Sequence, residues 1–311
     1  MIEIFGKVLP FLLFCLVGIV ARRLNIFTGN SLAQLKKLLT TIIFPCLVVD
    51  LLLFIELDFK HISLVIFMFT SLFLNYLVGL LVNRLPFLRM KELPLVCTTY
   101  CYGFLAAPLF LTMRGKGDLT ELAIMGASND LFIWIFFMAI VSFTYTSEKL
   151  SVKTVGKNFT SPAAIAMFLS LFLNLIGVDE LIQTNRGLAI ISNGIAEVGR
   201  LATPIILICI GYGFTCTLSE LSRASKLIIA RLVVTLSVAY ALKPILNYFV
   251  PATPIFDFAF FTLAIMPPAY VMPVMIGVND PDAERTLNAV IVISTVISVV
   301  AFAVFSMLNP A

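Results

Sequence analysis

Charge is scarce in this 311-residue chain: 12% of its residues are Asp, Glu, Lys or Arg, against about 25% in soluble domains. With 60% hydrophobic residues, a soluble fold would expose large adhesive patches, so an ordinary soluble domain is excluded. Histidine is scarcer still. His61 stands alone, so a His-Glu-x-x-His zinc site cannot be built. Paired intramembrane aspartates in a protease-type motif are missing as well, which argues against an intramembrane enzyme. The chain has no Gly-Lys-Ser/Thr phosphate loop, so ATP is not expected to drive it. It also lacks a recognisable selectivity filter, a voltage-sensing arginine ladder and a soluble output domain, features of channels and sensors. Its six cysteines sit in or beside apolar runs, without metal-ligand spacing or a secreted disulfide framework. Cys97 and Cys101 share an i,i+4 face, yet no histidine or acid joins them. No metal and no organic cofactor is expected, only H⁺ or Na⁺ as coupling ion.

What the chain does have is apolar length. Its mean hydropathy is +1.07, and a membrane-crossing helix needs about 20 mostly apolar residues. Ten such segments can be read, at about 4–21, 32–54, 62–83, 93–113, 119–145, 161–178, 188–218, 225–249, 256–278 and 285–308. The first lacks a small-residue cleavage site and is read as a span rather than a signal peptide. Ten spans place both termini on one side. The loops of that side carry six Lys and Arg residues against thirteen on the other. The positive-inside rule makes the basic side cytoplasmic and both termini extracytoplasmic. The same topology accounts for the basic residues without nucleic acid. It also sets aside the Asn158-Phe159-Thr160 sequon, which falls in a cytoplasmic linker over 146–160. The fold expected is an all-α integral membrane protein in a plasma or inner membrane. Its halves span residues 1–145 and 161–311, and its partner on all sides is the lipid bilayer.

The halves match in their prolines. Pro45 and Pro204 lie in the second span of each half, Pro108 and Pro273 in the fourth. Five spans per half force the second copy to enter from the opposite side, giving an inverted repeat, a plan frequent in secondary transporters. In span four Gly103 and Pro108 flank Ala106 and Ala107. In span nine Pro267, Pro268 and Pro273 precede Gly277. Both are candidate broken helices, because mid-helix proline removes a hydrogen bond and freed backbone groups survive in lipid only where protein or water satisfies them. Positive half-helix ends near the midplane suit a carboxylate. Counting 22 residues past Pro108 reaches Asp130, and past Pro273 reaches Thr295; Asn129 then matches Ser294. Asp130 is the deepest acid in the chain, and an intramembrane acid is a functional candidate by default. The coupling ion is therefore assigned to Asp130 and Thr295, and substrate contacts to Cys101, Gly103, Pro108, Asn129, Tyr270, Pro273 and Ser294. Arg231 is read as interfacial, and Glu197 with Arg200 as a local ion pair.

Residues 18–23 (Gly-Ile-Val-Ala-Arg-Arg), Phe44-Pro45-Cys46-Leu47, Gly103 to Leu109, Met266-Pro267-Pro268-Ala269 and Ile293-Ser294-Thr295 resemble the auxin efflux carrier family, which includes plant PIN-type carriers and bacterial malate or malonate permeases. The resemblance implies two inverted five-helix repeats with crossed broken helices 4 and 9. It implies a scaffold of helices 1, 2, 6 and 7, through which a homodimer would form, and a transport unit of helices 3–5 and 8–10. It implies elevator-type alternating access for a small organic anion, either a malate- or malonate-like carboxylate or an auxin-like acid. Family members often carry Asn where this chain has Cys101 and Gly where it has Ala106, so auxin recognition does not carry over. The linker is short, as in compact bacterial carriers. A Na⁺-coupled carrier of a larger anion, like the bile acid symporters, and a channel or sensor are the alternatives.

Overall fold

The computed structural model describes residues 2–54, 62–107, 109–110, 120–145, 162–214, 217–250, 253–277 and 279–309. Pro108 and the 146–160 linker lie outside the described residues. Every regular element described is helical.

Helix α1 (Ile2–Arg23) is followed by α2 (Gly29–Leu38) and α3 (Phe44–Leu52), which a π turn at Leu39–Ile43 joins into one span. Thr28 starts α2 with a capping box to Ser31, satisfying backbone donors at the helix start. The π turn directly precedes Pro45, and its wider winding accommodates a ring that would clash with an α-helical turn. Next come α4 (Ile62–Val82) and the short α5 (Leu93–Thr98). Helices α6 (Thr120–Phe132) and α7 (Met138–Tyr145) are linked through a second π turn at Ile133–Phe137. The second half holds α8 (Pro162–Leu175), α9 (Val178–Thr184), α10 (Arg186–Arg200) and α11 (Ala202–Gly213). It ends with α12 (Leu218–Phe249), α13 (Pro254–Ala264), α14 (Val271–Ile276) and α15 (Pro281–Leu308). Thr217 with Glu220, Thr253 and Asp280 cap α12, α13 and α15 at polar positions that interrupt the apolar pattern.

Among the described residues, six helical stretches are long and apolar enough to cross a membrane, and a seventh if α8 and α9, bent by 75°, count as one span. The chain is therefore a multi-pass helical membrane protein. Ile66, Leu81, Phe172, Ile190, Ile229 and Val233 are all more than half exposed, an outer surface that only lipid solvates favourably. Where spans four and nine are expected, the structure has short helices separated by non-helical residues.

Helix packing follows a regular pattern. Helix α1 lies along α11, and α8 along α3, with α10 also against α3. Helices α4 and α12 contact each other centrally; α6 packs on α4 as α15 packs on α12. Small residues allow close approach: a Cβ on Gly211 would sit 2.0 Å from the Cys15 carbonyl oxygen, and one on Gly18 2.2 Å from that of Ile208.

Candidate functional site

The site begins where two helices stop. Helix α5 ends at Thr98, Thr99 is extended (φ −113°, ψ 161°), and winding resumes as a π turn over Tyr102–Ala106. In the second half, α13 ends at Ala264 and α14 starts only at Val271. Pro267 and Pro268 fall in that gap, where neither ring can continue a helix. The two interruptions meet. Cys101 N–H donates to the Pro267 carbonyl at 2.9 Å, and Ala269 N–H to Thr99 Oγ1 at 3.3 Å.

Each break frees backbone groups that lipid cannot satisfy. Side chains from neighbouring helices take them. Asn129 of α6 accepts from Tyr100 N–H and donates to the Tyr100 carbonyl, both at 2.9 Å. Ser298 of α15 donates to the Ile265 carbonyl at 2.6 Å. Asn75 of α4 holds the Tyr100 hydroxyl at 3.0 Å. Arg231 of α12 does the most. Its guanidinium donates to the carbonyls of Val96 and Thr99 on the first break and of Met266 on the second. It also lies 5.3 Å from the centre of the Tyr100 ring, and the residue is only 1% exposed.

A cavity of about 30 Å³ lies where the two interruptions meet. Its wall combines the first break and its π turn (Tyr100 to Phe104), the second break with the start of α14 (Ala269 to Val271), Asp130 and Trp134 from the α6–π turn region, and Phe44, Leu47 and Val48 of α3. Phe44 packs on Phe104 and Trp134 with ring centres 6.1 and 5.1 Å apart, closing the α3 side. This space holds about two water molecules and is far below the roughly 300 Å³ at which small-molecule pockets begin. A second cavity, of about 560 Å³, lies between α2 and α14 beside Lys36 and Lys37.

Of the residues singled out in the sequence, Cys101, Gly103, Asp130 and Tyr270 line the cavity. Asn129 stands one residue from Asp130, pins the first break, and donates to Asp130 Oδ1 at 3.1 Å. Thr295 is hydrogen-bonded to the Tyr270 hydroxyl at 2.7 Å and donates to the Ile291 carbonyl. Ser294 is buried outside the cavity wall, its hydroxyl without a partner among the described residues. Pro273 is buried within α14, two residues beyond Val271 of the cavity wall. Pro108 falls outside the described residues.

No protein-family model and no curated protein matches the chain.

Arg231 was not legible as part of this site. Read from an apolar segment starting near residue 225, it looks interfacial. The helix in fact starts at Leu218, which places Arg231 about 20 Å along its axis. The Thr217/Glu220 capping box was the available signal, because it fixes the true start of the helix. Lys243, another charge within an apolar run, pairs with Asp257 at 2.8 Å. Glu197 and Arg200 form the local pair that their spacing suggests.

Proposed function

We propose that the chain is a secondary carrier of a small organic anion that works by elevator-type alternating access with H⁺ as coupling ion. One observation carries this reading. Two interrupted helices from opposite halves meet, share hydrogen bonds of their freed backbone groups, and border a cavity lined by the acid Asp130. Discontinuous helices meeting at a ligand site are the recurrent construction of secondary transporters. The sequence resemblance to auxin efflux carriers points the same way, towards ten spans in two inverted repeats. The packing pattern supports the repeat: α1 on α11 corresponds to α8 on α3, and α4 with α6 to α12 with α15. On this reading α1–α3 and α8–α11 are the scaffold and the site of a homodimer contact, and the crossing belongs to the moving unit. The basic loops remain cytoplasmic and both termini extracytoplasmic.

The mechanism follows from charge. An anion and an ionised Asp130 in one small cavity repel each other. Protonation of Asp130 removes that repulsion, so proton and anion bind together and cross together. Asn129, beside Asp130, responds to its state through their shared hydrogen bond. The cavity must widen to admit the anion. Its α3 wall (Phe44, Leu47, Val48) faces the crossing, so sliding the crossing along α3 opens one side or the other. Lys37 beside the larger cavity provides a cationic approach from the basic side, whereas the charge of Lys36 there is paired with Glu284. Na⁺ coupling is the weaker alternative, because the side-chain oxygens of Asn129 and Thr295 already have protein partners.

The test is solid-supported-membrane electrophysiology on proteoliposomes after dicarboxylate addition, with and without a pH gradient. Wild type should give a saturable, gradient-dependent current and Asp130→Asn should lose the gradient dependence. An unchanged mutant would remove Asp130 from the coupling role. A wild type silent to malate, malonate and auxin-like acids would remove the organic-anion assignment.

A further inference from the structure

The proposed cycle uses Asp130 and leaves Arg231 without a task. Yet this arginine hydrogen-bonds to both interrupted helices. Its three carbonyl partners belong to both interrupted helices: Val96 and Thr99 to one, Met266 to the other. Carbonyls freed by helix breaks at membrane depth are the groups that coordinate metal cations in carriers with this kind of site. Here they converge on a guanidinium, whose planar fork of N–H donors can serve several acceptors at once. None of its hydrogen-bond partners is a carboxylate, so the contacts satisfy its donors without cancelling its charge. Tyr100, whose ring lies 5.3 Å from the guanidinium, is itself a residue of the cavity wall. The positive charge therefore sits one residue behind the space where an anion would bind.

We propose that Arg231 is a resident cation of the crossing. It occupies the carbonyl cluster that a coupling metal ion would otherwise fill, and it supplies the positive field that recognises the anion's carboxylate. Two consequences follow. The protein needs no Na⁺ to hold the crossing together. In addition, the site switches between one net positive charge when Asp130 is protonated and near neutrality when it is not, so substrate is attracted in the protonated state. The second consequence rests on the anion-carrier reading; the first does not.

The experiment uses the full chain as wild type, Arg231→Lys and Arg231→Gln. Thermal midpoints in detergent are compared in matched NaCl and choline chloride, and the half-saturating dicarboxylate concentration is measured in proteoliposomes. The wild-type midpoint should be the same in both salts. Arg231→Lys, which keeps the charge, should hold half-saturation within about threefold, whereas Arg231→Gln, which keeps donors but loses the charge, should raise it about tenfold or more. A wild-type midpoint that rises with NaCl would overturn the resident cation. Equal loss of affinity in both variants would reduce Arg231 to a structural hydrogen-bond donor and overturn the field. If wild type moves no carboxylate, the carrier reading fails on its own, and the salt comparison still decides whether the carbonyl cluster accepts Na⁺.

Discussion

Asn129 shows how much one side chain can do when the backbone is interrupted in lipid. Its amide replaces the two helical hydrogen bonds that Tyr100 would otherwise make, with the oxygen accepting and the nitrogen donating. Asn129→Ala leaves both Tyr100 backbone groups buried and unpaired, at a cost of about 1–3 kcal/mol for each group. A markedly lower thermal midpoint in fluorescence-detected size-exclusion chromatography is the expected result. An unchanged midpoint would mean that the break is held mainly by its contacts to Arg231 and to the second break. The importance of Asn129 was legible in the sequence, since proline-to-acid spacing marks its neighbourhood. Its role was not. A polar residue beside Asp130 looks like a ligand until the non-helical course of Thr99–Cys101 reveals the backbone that needs it. Thr295 differs in the same way. The same depth argument marks it as an ion ligand, and the fold occupies its hydroxyl with Tyr270 and Ile291.

At the scale of elements, the second interruption was the more legible, because Pro267 and Pro268 act through local sterics that need no tertiary information, whereas the first falls at Thr99–Cys101, ahead of Gly103 and without a proline or glycine of its own. Helix boundaries were less so. Apolar runs show where a chain can enter lipid, whereas α12 extends well beyond its apolar run through a capped, charged first turn. The α1–α11 contact was not legible at all. Gly18 and Gly211 look unremarkable in sequence, but each lies against the backbone of the other helix. Gly211→Leu should force these helices apart, because the obstructing Cys15 atoms are backbone and cannot rotate away. The expected outcome is loss of the monodisperse folded protein, or a destabilisation of about 1–3 kcal/mol where the backbone shifts to accommodate the side chain. Gly194→Leu, at a position with open space around its Cβ, is the matched control and should be tolerated.

For the whole molecule, the question is which parts move against which. Lys36 of α2 forms an ion pair with Glu284 of α15, joining an element of the proposed scaffold to one of the proposed moving unit. Both side chains are 16% exposed, so the pair is shielded from solvent and stronger than a surface contact. On the carrier reading, sliding of the crossing must break it. A double variant with Lys36→Cys and Glu284→Cys, bridged by a reducible bis-thiol reagent long enough to replace the two side chains, should therefore lose transport and regain it on reduction, while the single variants remain insensitive. Transport that continues in the cross-linked protein would show that α2 and α15 travel together and would redraw the boundary between scaffold and moving unit. Neither sequence pattern nor helix count discloses this pair, because its partners are 248 residues apart and meet only once both halves have assembled.

The small cavity at the crossing has one more consequence, for osmotic balance. If the chain is the carrier proposed above, its empty form returning in this conformation encloses about 30 Å³, or about two water molecules. A carrier whose empty site stayed wide would ferry a column of water on each return stroke, and with it a pathway for protons to hop between water molecules. Collapse of the site around Phe44, Phe104 and Trp134 leaves too little space for such a chain. On the carrier reading, the idle protein is thereby kept from dissipating the gradient that would drive it.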